Sequence, residues 1–202
     1  MPRRVTILSA TLIASLASAA ACRERSDAHI QASYDDSGKL RLLTYDSNKN
    51  GKPDTWSYMD GTRIVRVELD TNEDGNVDRW EYYNQAGTLE KVGTSQENDG
   101  RVDTWAYPAA DGSTARIERS LRRDGKASRK ESYKDGVLVS AEEDSDNDGI
   151  ADKWEEYVDG RLASVGFDTE KAGRPTRRLV YDRSGQLLPG DGRGGSPHAA
   201  RP

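Results

Sequence analysis

The sequence predicts an all-β protein, a repetitive antiparallel β-meander of about six hairpin-plus-loop units of 24 residues each. Three observations carry this prediction. An acidic nine-residue motif returns six times, beginning at Asp46, Asp70, Ser95, Ser120, Asp144 and Asp168, at intervals of 24, 25, 25, 24 and 24 residues. A fixed period of that length marks a repeat architecture, in which the fold is a matter of how units stack. Between motifs, the runs are short, β-prone and free of the 3.6-residue apolar period of a helix. Each unit is also divided by a turn glycine, at Gly61, Gly87, Gly112, Gly136, Gly160 and Gly185. Asp60-Gly61 reads as the central pair of a tight hairpin turn, where positive φ is needed and glycine supplies it cheaply.

The elements follow in order. Arg3 and Arg4 precede a charge-free run from Val5 to Ala21 that ends in small residues, the layout of a secretory signal peptide over 1–21. Ala19-Ala20-Ala21-Cys22 resembles a bacterial lipobox, and the resemblance implies that Cys22 carries the lipid of an envelope lipoprotein facing periplasm or exterior. Cys22 is the single cysteine, so no disulfide forms within the chain. Residues 22–33 are poor in apolar side chains and read as a flexible tether. Residues 34–188 read as the repeat domain, and the Gly- and Pro-rich stretch 189–202 as a disordered tail.

Composition narrows the function. Charged residues make up 32% of the chain against 34% hydrophobic ones, which is lean for a thick core and suits a thin array. The net charge of −5 becomes −7 once Arg3 and Arg4 leave with the signal segment, so nucleic acid is not an expected partner. The two histidines, His29 and His198, lie outside the repeats and in no nucleophile motif, which argues against an enzyme.

The acidic motifs point to calcium. Asp70-Thr-Asn-Glu-Asp-Gly-Asn-Val-Asp78 and Asp144-Ser-Asp-Asn-Asp-Gly-Ile-Ala-Asp152 place Asp or Asn at alternate positions before a turning Gly. That spacing wraps hard oxygen ligands around one cation. Loop two offers Asp70, Asn72 and Asp74 with the carbonyl of Asn76. Loop five offers Asp144, Asp146 and Asp148 with the carbonyl of Ile150. Both loops resemble EF-hand loops, in which the residue at position twelve, here Glu81 or Glu155, is a bidentate ligand. Their strand-like flanks favour Asp78 and Asp152 at position nine instead, because a strand carries the Glu about 10 Å onward and turns it to the opposite face. This shorter form resembles the calcium loops of thrombospondin type 3 repeats. Loop one is a weaker site with Asp46, Asn48, Asn50 and Asp54. Loop three keeps Glu97, Asp99 and Asp103, and the loops from Ser120 and Asp168 read as plain turns.

Trp56, Trp80, Trp105 and Trp154 each stand two residues beyond position nine, on the strand face shared with that Asp and, in the first three, with Tyr58, Tyr82 or Tyr107. This ladder is read first as packing across repeats. The alternative is an exposed platform for carbohydrate or cell-wall polymer, with another surface protein as a further possible partner. Tyr-x-x-x-Gly-x-Leu, at Tyr83 to Leu89 and Tyr181 to Leu187, resembles the YD repeats of RHS proteins, which implies a β-meander.

Overall fold

The computed structural model describes residues 29–189. The signal segment, Cys22, most of the tether and nearly all of the tail lie outside the described residues.

Thirteen antiparallel strands form one sheet in strict sequence order. They are β1 (Ile30–Tyr34), β2 (Leu40–Tyr45), β3 (Thr55–Asp60), β4 (Arg63–Leu69), β5 (Arg79–Tyr83), β6 (Leu89–Thr94) and β7 (Thr104–Pro108). The series continues with β8 (Thr114–Arg119), β9 (Arg129–Lys134), β10 (Val137–Glu143), β11 (Lys153–Val158), β12 (Arg161–Phe167) and β13 (Arg177–Val180). The described residues are all-β, as the repeated short runs and turns implied. β1 begins at Ile30, inside the stretch expected to be tether. Its alternating Ile-Gln-Ala-Ser-Tyr pairs in register with Tyr45 back to Leu42, and no glycine or proline marks its start.

Short turns and nine-residue loops alternate along the chain, so all six acidic loops emerge from one end of the sheet. The short turns are of two kinds. Asp135-Gly136 and Asp159-Gly160 are central pairs with positive φ at both residues, 51° and 74°, then 51° and 71°. At the β3–β4 hairpin Asp60 instead stays in β3, paired with Arg63, and Gly61 (φ 67°) opens the turn followed by Thr62. Glycine in the first central position is the other favoured hairpin geometry. The Tyr-x-x-x-Gly-x-Leu motif is a longer turn whose ends meet. Tyr83 pairs with Leu89 and Tyr181 with Leu187, while the Asn84 and Asp182 side chains accept amide protons from inside their turns.

Each of the six hairpins from β1–β2 to β11–β12 carries one extra residue at the same place, at Arg41, Val65, Glu90, Ala115, Val139 and Ala163. Such bulges add twist and realign the faces beyond them. They keep the period of the repeat, but no shared residue type marks them.

A single sheet leaves both faces to solvent, and the apolar interior is correspondingly small. Ala141 and Val165 are the buried hydrophobic residues among those described, and no large side chain is fully enclosed. Register sorts the residues cleanly. One face carries the row Trp56, Glu68, Trp80, Gly93, Trp105 and Glu118, continued by Lys130, Glu142, Trp154 and Gly166. The other face carries Val67, Glu81, Val92, Ala106, Ile117, Glu131, Ala141, Glu155 and Val165.

Candidate metal-binding loops and their neighbours

All six loops share one backbone path. Position four is left-handed in each, at Lys49, Glu73, Asn98, Arg123, Asn147 and Lys171, with φ between 54° and 66°. Position six is a glycine, and Gly75 and Gly149 stand at φ 93° and 95°, where a side chain would be strained. The loops from Ser120 and Asp168 follow this path although they lack most of the acids, so the path itself does not depend on them.

Carboxylates and amides organise each loop from inside. In loop two, Asp70 accepts the amide protons of Asp74 (3.2 Å) and Gly75 (2.8 Å), Asn72 accepts that of Asp74 (3.1 Å), and Asp74 accepts that of Asn76 (2.8 Å). Asp78 closes the loop by accepting from the Thr71 amide and hydroxyl, both at 2.8 Å. Loop five repeats the scheme. Asp144 holds Asp148 and Gly149, Asp146 holds Asp148, Asp148 holds Ile150, and Asp152 accepts from Ser145 and Asp146. Loop one does the same with Asp46, Asn48, Asn50 and Asp54, the last bonded to the Ser47 amide and hydroxyl. Partial burial works to raise the Asp54 pKa. The Ser47 and Thr55 hydrogen bonds outweigh it, so the carboxyl ends below its usual range. Positions one and nine are the deep end of a loop, with Asp70 and Asp78 each only 6% exposed, whereas positions three and five face solvent.

Among the described residues, one group of carboxylates converges as a metal site would. Ligand oxygens of Asp144, Asp146 and Asp152 lie within 4.8 Å of one another. These residues can hold a metal ion. Loop two has an amide, Asn72, where loop five has the Asp146 carboxylate. A groove of about 460 Å³ opens beside the triad, between loops five and six, over Ile150, Phe167 and Leu179.

Glu81 and Glu155 sit elsewhere, on the strand face with Val67 and Val165. Glu81 accepts from Arg79 Nε at 2.8 Å and the Tyr83 hydroxyl at 2.6 Å. Glu155 accepts from Arg129 at 2.7 Å and the Tyr157 hydroxyl at 2.8 Å, and pairs with Lys153 at 2.8 Å. Burial alone would raise the Glu155 pKa, but these donors bring it down to about 2. The phenol of Tyr83 is pushed up to about 12 by burial and by the Glu81 carboxylate. A basic residue, Glu and Tyr at alternate positions recur as Arg79-Glu81-Tyr83, Arg129-Glu131-Tyr133 and Lys153-Glu155-Tyr157. The sequence reading passed over this pattern, although its spacing of two is visible in the text.

The aromatic ladder is confined to one face, but the rings do not form a continuous stack. Tyr82 and Trp105 meet at 5.7 Å between centroids. Cations cover other rings: Arg66 stands 4.0 Å from Tyr58, Arg116 4.0 Å from Tyr107, and Lys91 4.8 and 4.2 Å from Tyr82 and Trp105. The strands between the Trp-bearing ones supply these charges, which the sequence reading did not connect to the rings.

No family model matches the chain, and no curated protein matches it. Among solved structures, a crystal structure of accessory secretory protein 1,2 and 3 in Streptococcus pneumoniae is similar with a TM-score of 0.39 at 17% identity, over 52% of this chain and 19% of that one. A GtfA/B complex bound to UDP and GlcNAc gives 0.40 at 13% identity, over 52% of this chain and 22% of that one. A Glycosylation Associate Protein complex from Streptococcus agalactiae gives 0.36 at 12% identity, over 59% of this chain and 19% of that one. The chain thus spans about a fifth of the length of each. Likeness at these scores carries no argument about activity.

Proposed function

We propose that this protein is a non-enzymatic, calcium-binding extracytoplasmic lipoprotein with a structural or adhesive role, in which calcium stiffens the array of loops. The observation that carries the reading is the convergence of Asp144, Asp146 and Asp152 within 4.8 Å in a loop built on alternating acids and a turning glycine. Carboxylates held that close repel one another until a cation joins them. The sheet has little apolar interior, so ions at its end matter for rigidity. Extracellular calcium modules bind at about 0.1–1 mM. At millimolar calcium a site at the tighter limit adds about 1.4 kcal/mol, and a few such sites weigh heavily in a sheet without a core. Membrane attachment through Cys22 belongs to the same proposal and rests on the lipobox-like sequence. Cys22→Ser should release the protein from membranes, and a variant that still sediments with them rules Cys22 out as the anchor.

The direct experiment is a calcium titration of the protein followed by calorimetry and Trp fluorescence. Replacing Asp74 and Asp148 by Ala should remove the sites of loops two and five. An unchanged stoichiometry in the double variant would overturn the assignment.

A second reading, carbohydrate binding on the Trp face, draws support from the single row of Trp56, Trp80, Trp105 and Trp154. Cations over Tyr58, Tyr82 and Tyr107 leave fewer ring faces open to a sugar. Retention on insoluble cell-wall glycan, lost with Trp56→Ala and Trp80→Ala together, would favour it over the calcium-stiffened scaffold.

A further inference from the structure

Four of the five loops that follow another lean on the one before through the left-handed residue at position four. Glu73 of loop two accepts from Asn50 Nδ2 of loop one at 3.3 Å. Arg123 of loop four stands 2.6 Å from the Asp99 carboxylate of loop three. Asn147 of loop five donates to Asp124 of loop four at 3.1 Å. Lys171 of loop six lies 3.2 Å from Asp146 and 3.9 Å from Asp148 of loop five. The position-four backbone points its side chain at the preceding loop, and the partner is the position-five residue in the first three cases. That residue is a central ligand in the calcium pattern.

We infer that the residue at position four of each loop sets the cation affinity of the loop before it, with Arg123 closing loop three to metal and Lys171 competing for loop five. The inference rests on the calcium reading and adds to it which sites are open. The basic side chains occupy the carboxylates a divalent ion needs, and they repel that ion when displaced. The Lys171 ammonium is within ion-pair reach of two carboxylates of the same loop, so its charge acts at the ligands themselves. Loop five has a further cation, since Arg122 of loop four donates to the carbonyls of Ser145 and Asp146. Loop two differs. Among the described residues no ion pair reaches Asp70, Asp74 or Asp78, and position four of the following loop is the uncharged Asn98. Of loops two and five, loop two is therefore the open site, even though loop five has the more compact triad.

The test is calorimetry of the full chain with calcium chloride, comparing wild type with four variants. Lys171 and Arg123 side chains are 79% and 43% exposed, so replacing them leaves the fold intact. Arg123→Gln should add one calcium equivalent, at loop three. Lys171→Met should tighten loop five about three- to tenfold, the scale of one unit charge acting through solvent on a divalent ion, while Lys171→Arg should restore the wild-type value. The transplant Asn98→Lys should weaken loop two by a similar factor. Position four already holds Lys171 at φ 54°, the same value as Asn98, so the backbone accepts the change. Wild type that binds calcium with stoichiometry and affinities unmoved by any variant overturns this inference and leaves the calcium reading standing. Absence of binding in wild type and variants alike overturns both.

Discussion

The Arg129 guanidinium on β9 reaches across β10 to stand 2.7 Å from the Glu155 carboxylate on β11. The same guanidinium holds Glu131 and Glu143, each at 2.9 Å, so one side chain links three strands. Lys153 adds pairs to Glu143 and Glu155. In a sheet with two buried hydrophobic residues, this network takes the place that an apolar cluster has in a thicker fold.

Arg129→Met should accordingly destabilise the sheet by about 2–3 kcal/mol, because it leaves carboxylates in a partly dry setting without their main partner. Urea unfolding followed by circular dichroism measures this. A change below about 0.5 kcal/mol, the usual range for surface substitutions, would show that the network is merely superficial.

Stability should also fall in acid. The Glu155 carboxyl is held at about 2 against an ordinary 4.5, and a depressed carboxyl stabilises the fold only while ionised. That contribution is complete above 4.5 and is lost as the pH drops towards about 2. The urea midpoint should therefore decline through this window in wild type, and Glu155→Gln should flatten the decline.

Two glycines should fail for different reasons. A Cβ on Gly93 would lie 2.9 Å from the Trp105 ring and 3.1 Å from Val102, so Gly93→Ala displaces the indole. The cost should be about 1–3 kcal/mol with an altered Trp emission. A Cβ on Gly75 meets nothing within 4 Å, but its φ of 93° strains any side chain. Gly75→Ala should cost about 1–3 kcal/mol from backbone strain alone, with Trp emission unchanged.

Which acid closes the proposed calcium site can be tested at loop five. Asp152 accepts from Ser145 and belongs to the convergent triad, while Glu155 is engaged by Arg129 and Tyr157. Asp152→Asn should weaken calcium binding more than tenfold, at about 1.4 kcal/mol per tenfold. Glu155→Gln should lower stability and leave affinity nearly unchanged. Affinity loss from Glu155→Gln exceeding that from Asp152→Asn would restore the EF-hand arrangement.

Much of this architecture was legible in the text. The recurrence of Asp-x-Asx-x-Asx-Gly fixed the number and spacing of the loops, because a nine-residue loop on one sheet end needs the same turning glycine each time. Alternation around Trp80-Glu81-Tyr82 separated the two faces, because a strand turns successive side chains to opposite sides. The resemblance of Tyr83 to Leu89 to a YD repeat corresponds to a turn whose two ends pair.

What the sequence by itself determined is therefore local: strand, turn, loop, and the acids gathered within twelve residues of each other. Tertiary structure alone decided which units touch. Arg123 meets Asp99 at a separation of 24 residues, and Arg129 meets Glu155 at 26, because antiparallel pairing brings repeats alongside that the chain keeps apart. The bulges at Val65 and Val139 set the twist, and the left-handed φ of Lys171 aims its ammonium at loop five. These depend on register and on backbone conformations that Val and Lys do not advertise, so no reading along one strand reveals them.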